Sequence, residues 1–234
     1  MGYYYFDYTY FVFMIPALII SMYAQFKVQS TFRKYSNVRN INRLTGAEAA
    51  SRVLYSAGIT NVRVEHVGGN LTDHFDPRTN VIRLSDSVYD SASVASVGVA
   101  AHEAGHAVQH AVGYGPIRFR QFLIPISRFG STLAIPLVFI GLLLPVQYDF
   151  VVTIGIVFYS LSVLFELVTL PVEFNASNRA IRALEESGML YGEELDGAKK
   201  VLRAAAMTYL AATFTALASL LRLLVIVGNR SGRD

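Results

Sequence analysis

Four long apolar stretches dominate this 234-residue chain and limit what it can fold into. They cover residues 8–26 (YTYFVFMIPALIISMYAQF), 129–147, 150–172 and 204–228. Each reaches the roughly 20 residues that a helix needs to cross about 30 Å of hydrocarbon. In lipid the backbone must satisfy its own hydrogen bonds, which a helix does within one segment. The first two stretches carry no charge; Glu166 interrupts the third and Arg222 the fourth. A buried helix of a soluble core is the alternative for any one of them. Four in so short a chain argue against it, most firmly for the first three, because the first half of the fourth is rich in Ala and Thr. Only 16% of the residues are charged, well below a typical soluble domain. The expectation is a mostly α, integral-membrane chain of about four transmembrane helices, with the lipid bilayer as its first partner.

Basic residues set the orientation. Lys27, Arg33, Lys34, Arg39 and Arg43 follow the first span; Arg118, Arg120 and Arg128 lie around the start of the second. Arg179, Arg182, Lys199, Lys200 and Arg203 lie between the third and fourth, whereas the turn at Tyr148 has none. The N-terminus and the turn at 148 are therefore expected outside, and the regions between spans one and two and between three and four in the cytoplasm. The organisation reads as 1–30, first transmembrane helix; 31–120, cytoplasmic region; 121–172, transmembrane hairpin; 173–203, cytoplasmic helical region; 204–234, fourth apolar helix and a tail with Arg230 and Arg233. The opening MGYYYFDYTY lacks the basic start of a signal peptide. A net charge of +3 without a basic stripe excludes nucleic acid as a partner.

The first cytoplasmic region has the texture of a small α+β unit. Thr45-Gly46-Ala47-Glu48 is a capping box that opens a helix to about Ala57, which Gly58 stops. VRVEHV (62–67) and VIRLS (81–85) alternate like a hairpin-like pair of strands, with turn chemistry at Asp76–Asn80 between them. From about Ser91 to Ala111 the sequence turns helical and small.

That last helix carries VGVAAHEAGHAVQHAVGYG, with three of the chain's five histidines. Residues four apart on a helix differ by about 40° and stack one turn above the other. His102 and His106 thus offer two imidazoles to one point, half of a zinc site, with Glu103 beside them within reach of a water on the metal. The chain has no cysteine, so any metal must be held by His, Asp or Glu. Two histidines on a helix are commonly surface or core residues. Here the neighbours are Val, Ala and Gly, and burying such groups without a partner costs several kcal/mol. A catalytic zinc needs a third protein ligand, for which His110, Glu166 and Glu173 are candidates. His110 stands about 12 Å along the helix from His102, too far to share one ion, and reads as a surface or supporting residue. A helix starting near Asp149 reaches Glu173 after about 35 Å, at the cytoplasmic membrane edge. That depth favours Glu173. Glu166 lies about 10 Å deeper; it stays in reserve, or pairs with Arg222 or Arg128.

HEAGHAVQ, followed far downstream by PVEFNASNRA, resembles the YugP-type bacterial membrane zinc metallopeptidases, also called neutral zinc metallopeptidases. The segment NLTDHFDPRTNVIRLSDSVYDSASVASVGVAAHEAGHAVQHAVGY is similar to that family throughout, and with the spans the likeness covers nearly the whole chain. More remotely it resembles HtpX-type membrane proteases, whose third ligand is the Glu of E-F/Y-x-A-D. Glu173-Phe174-Asn175-Ala176-Ser177 follows that pattern, except that Ser177 stands where the aspartate orients a zinc histidine; Asn175, Ser177 or Asn178 would take over that role. The resemblance implies a zincin-like metallopeptidase core with one zinc ion per chain, His102, His106 and Glu173 as ligands, and Glu103 as general base. It also implies a peptide or membrane-protein substrate, and a multi-pass place in the bacterial inner membrane with the active site facing the cytoplasm. His74, Tyr159, Arg179 and Arg182 are candidates to stabilise the oxyanion, and His74 also reads as a turn residue. In zinc peptidases of this kind a strand before the metal helix pairs with extended substrate; VIRLS holds that place. Two other functions compete. One is a membrane protein with a structural metal that binds partners without cleaving them, in which a free carboxylate at Glu103 has no use. The other is a transporter lined by Glu166 and the histidines, which predicts inverted repeats that the sequence lacks.

Overall fold

A computed structural model describes residues 8–231 of the chain, leaving Arg233 of the tail and the first seven residues outside the described part. The described residues are mostly helical: α1 (Tyr8–Ser36), α2 (Gly46–Ser56), α3 (Val94–Ala111), α4 (Gly115–Leu143), α5 (Asp149–Glu186) and α6 (Gly192–Ser231). Three short strands, β1 (Arg63–Val67), β2 (His74–Asp76) and β3 (Val81–Ser85), form one sheet. Two compact units emerge, one from residues 8–24, 119–170 and 208–231, the other from 25–118 and 171–207.

The first unit holds the apolar stretches. Four helices, Tyr8–Ser36, Gly115–Leu143, Val146–Glu186 and Gly192–Asn229, are long and apolar enough to cross a membrane. Their large side chains face outward: Leu18 is 58% exposed, Phe129 64% and Ile135 67%. Their buried positions are mostly small, among them Ala17, Ala134, Ala211 and Ala218. A Cβ on Gly155 would stand 2.9 Å from the backbone nitrogen of Val138, so α4 and α5 approach backbone to backbone. Apolar outside and small inside is the arrangement that lipid, not water, stabilises. Glu166 lies in the field of Arg120. Arg222 instead lies 5.2 Å over the Tyr10 ring.

The second unit has a water-type core of Leu44, Leu54, Ile82, Leu84, Val97, Leu184 and Leu190, each at most 3% exposed. The capping box at α2 forms as its sequence dictates: Thr45 Oγ1 accepts from the Glu48 amide at 3.2 Å, and a Glu48 carboxylate oxygen accepts from the Thr45 amide at 2.9 Å. Ser93 caps α3 in the same way, with Ser96 completing the box.

The sheet departs from the expected hairpin. Its order is β1-β3-β2, with β1 parallel to β3 and β2 antiparallel to it. The chain turns back after β1, through Gly69 and Leu71 at positive φ, into the short β2 and then returns as β3 between the other two. Alternation marks which residues are strands but not which strands are neighbours. β3 therefore has both edges occupied and cannot receive a substrate strand; β2 lies at a sheet edge. Along α3, the β2 residue Phe75 packs edge-on against His110, ring centres 6.0 Å apart.

Candidate metal centre

α3 is built to be buried. Val94, Val97, Ala100, Ala101 and Ala104 are fully covered, and small side chains let neighbouring helices come close. The closest approach is at Gly105, between the two histidines and next to His106. A Cβ there would stand 2.6 Å from the backbone oxygen of Ala176 on α5. Glycine at 105 thus sets the distance between the helix bearing His102 and His106 and the helix bearing Glu173. Gly105→Ala must push them apart; the expected result is a stability loss of about 1–3 kcal/mol together with a smaller zinc-induced rise in melting temperature. Thermal denaturation in detergent with and without zinc measures both.

Across that gap the three side chains meet. His102 Nε2 lies 3.3 Å and His106 Nε2 3.4 Å from the same Glu173 oxygen, Oε2. The ligand atoms of His102, His106 and Glu173 all lie within 4.8 Å of one another, a group that could hold a metal ion. The two rings are nearly perpendicular, with centres 4.7 Å apart. Glu173 is 3% exposed, and Glu103 and His106 are each 9% exposed. For ligand bonds of roughly 2.0–2.2 Å in a tetrahedron, neighbouring ligand atoms stand about 3.4 Å apart. The two His–Glu173 separations match that edge and exceed the roughly 2.7–2.9 Å of a charge-assisted hydrogen bond. Nitrogen and carboxylate donors without sulfur suit zinc, and the chemistry of the set fits the ion.

The electrostatics agree. Burial pushes the Glu173 carboxyl up, but the adjoining His102 and His106 rings outweigh it and hold the group well below the usual carboxylate range. Burial pushes the His106 imidazole down, and the carboxylates of Glu173 and Glu103, with Gln109, more than reverse it. The site is a strongly cation-seeking cluster whether the cation is a proton or a metal ion.

Each histidine is also held from behind. Ser177 Oγ lies 3.1 Å from His102 Nδ1, the place where HtpX-type proteases carry aspartate. His106 Nδ1 lies 3.0 Å from Gln109 Oε1. Gln109 is fully buried, and its amide nitrogen reaches the Val172 carbonyl at 2.7 Å and Asn175 Oδ1 at 2.9 Å. Arg179 Nε in turn donates to Asn175 Oδ1 at 2.8 Å. Gln109 was not legible as a site residue; its one sequence signal is the i+3 spacing from His106, which puts it on the same helix face.

The other candidates stand apart. Glu166 belongs to the other compact unit and is not in the ligand group. His110 is exposed against Phe75. His74 is exposed, and its Nδ1 donates to the Thr72 carbonyl at 2.9 Å, so the neutral ring turns an acceptor outward at Nε2. Tyr159 lines a cavity among the apolar helices, with Tyr10 and Arg222. Arg179, which also reaches Asn175, lines with Arg182 a cavity of about 560 Å³ that Val53, Val108, Asn175 and Asn178 share. One further residue bears on Glu103. Burial pushes the Asp73 carboxyl up, Ser85 hydrogen bonds oppose this, and the Glu103 charge adds to it. Asp73 is fixed by the Ser85 amide at 2.8 Å.

Known proteins are similar to this sequence over nearly its whole length. The family described as "Putative neutral zinc metallopeptidase" matches residues 10–228. "Putative membrane protease YugP" of Bacillus subtilis (strain 168) is 46% identical over 225 residues, spanning 96% of this chain and 98% of its own. No solved structure matches the chain. With its His-His-Glu group and its four apolar helices, the chain belongs to the "Putative neutral zinc metallopeptidase" family.

Proposed function

We propose that the chain is a zinc-dependent endopeptidase of the bacterial inner membrane that hydrolyses peptides or membrane proteins at the cytoplasmic surface. The observation that carries this reading is that His102 Nε2 and His106 Nε2 both stand at tetrahedral-edge distance from one Glu173 oxygen, with all three ligand atoms within 4.8 Å of one another. The family and the relative, both named for peptide hydrolysis, support it. In this reading the core that holds the group is zincin-like, one ion is bound per chain, and residues 31–120 and 173–203 form the cytoplasmic part. The basic residues around them support that orientation.

When bound, zinc supplies Lewis acidity toward the scissile carbonyl and makes water a stronger acid. His102, His106 and Glu173 hold it. Glu103 contributes no atom to the ligand group, so its carboxylate is free for proton transfer. It takes the proton of the attacking water and passes it to the leaving amine nitrogen. The extended substrate adds to the edge of β2 rather than to β3, because β2 lies at the rim of the sheet along α3.

Casein-type hydrolysis by the purified protein in detergent tests the reading. It is expected to disappear with a zinc chelator and to return with added zinc; hydrolysis indifferent to the chelator contradicts it.

A further inference from the structure

We propose that Gln109 is a positioning residue that fixes which nitrogen of His106 faces the metal, and that Asn175 and Arg179 hold Gln109 in the orientation that does so. The inference rests on the metal-centre reading above, but it concerns the wiring of the histidine, not peptide hydrolysis.

The directions of four hydrogen bonds carry it. Arg179 Nε–H can only donate, so Asn175 Oδ1, 2.8 Å away, is an acceptor. The Val172 carbonyl can only accept, and it lies 2.7 Å from Gln109 Nε2. Asn175 Oδ1 lies 2.9 Å from the same nitrogen, so both amide hydrogens of Gln109 have their acceptors. Flipping the amide would set its oxygen against two other oxygens. Gln109 Oε1 therefore faces His106 Nδ1 at 3.0 Å, and that nitrogen carries a hydrogen, which it donates. In the neutral ring the lone pair then sits on Nε2, the atom 3.4 Å from Glu173 Oε2. A lone pair aimed at a carboxylate oxygen is repulsive unless a cation lies between them. The network thus prepares the ligand atom before any metal arrives.

The two histidines differ in this respect. Ser177 Oγ can donate to or accept from His102 Nδ1, so it supports that ring without choosing its tautomer. Gln109 has no such freedom, because its partners at Val172 and Asn175 are held in one role each. Complete burial of Gln109 makes the choice expensive to reverse, since a flipped amide would leave buried polar groups facing like partners.

The test uses the full chain in detergent micelles with 15N-labelled histidine, of which there are five. In metal-free wild-type protein above the titration range of imidazole, the ring of His106, assigned by its loss in His106→Gln, is expected with its hydrogen on Nδ1. Gln109→Met keeps the volume but loses the wiring. It is expected to mix the tautomers and to weaken zinc binding in a chelator competition by roughly 10–100-fold. Asn175→Asp retains the accepting oxygen and is expected to keep the wild-type tautomer and a zinc affinity within about threefold of wild type, since the support behind the ligand survives. A wild-type His106 with its hydrogen on Nε2 overturns the proposal and needs no variant to fold. A Gln109→Met protein with unchanged tautomer and zinc affinity overturns it as well. Wild-type protein that binds no zinc counts against the metal-centre reading, while the tautomer still decides this one.

Discussion

Replacing Glu103 with Gln is expected to leave one zinc per chain in place and to lower peptide hydrolysis by about 10²–10⁴-fold. The amide keeps the shape of the side chain but cannot take a proton from water. The ligand group lies outside Glu103, so metal content and melting temperature should stay near wild type. The pairing of the two readouts matters. Loss of activity with loss of zinc would make Glu103 a structural support, and hydrolysis retained in the variant would remove it from the chemistry. Metal analysis by mass spectrometry and casein cleavage on the same preparation separate these results.

The second large effect separates two glutamates on one helix. Glu173→Ala should weaken zinc binding by more than the roughly 10–100-fold that loss of a supporting hydrogen bond costs. It removes the oxygen at which both Nε2 atoms converge. Glu166→Ala should leave zinc affinity unchanged, because that side chain belongs to the other compact unit and its charged neighbour is Arg120. Titration of zinc against a fluorescent chelator reads both variants. The opposite ranking would transfer the third ligand from Glu173 to Glu166.

The ease of reading these features from sequence follows their range. The apolar spans are local, as lipid demands about 20 apolar residues in a row and little else satisfies that. The His102–His106 pair is local too, because a helix turn fixes the meeting of residues four apart. The capping box at Thr45 formed as written. Glu173 was reachable because the rise of a spanning helix converts residue count into depth. Legibility ends where partners are distant and unpatterned. The three residues of β2 were hidden in turn chemistry, and the insertion of β3 between β1 and β2 follows from packing on α2 and α3, not from alternation. Gln109 looks like any helix glutamine until the Val172 carbonyl and Asn175 enclose it. For Glu166 the sequence offered Arg222 or Arg128 as partners, and the fold brings the field of Arg120 to it.

The most direct measurement is X-ray absorption at the zinc edge of the purified, metal-loaded protein in detergent. A single bound zinc should show light-atom ligands only, at roughly 2.0–2.2 Å, with the scattering pattern of two imidazoles that falls to one in His106→Gln. A spectrum without imidazole scattering, or protein that retains no stoichiometric zinc, would contradict a metal centre built from His102, His106 and Glu173.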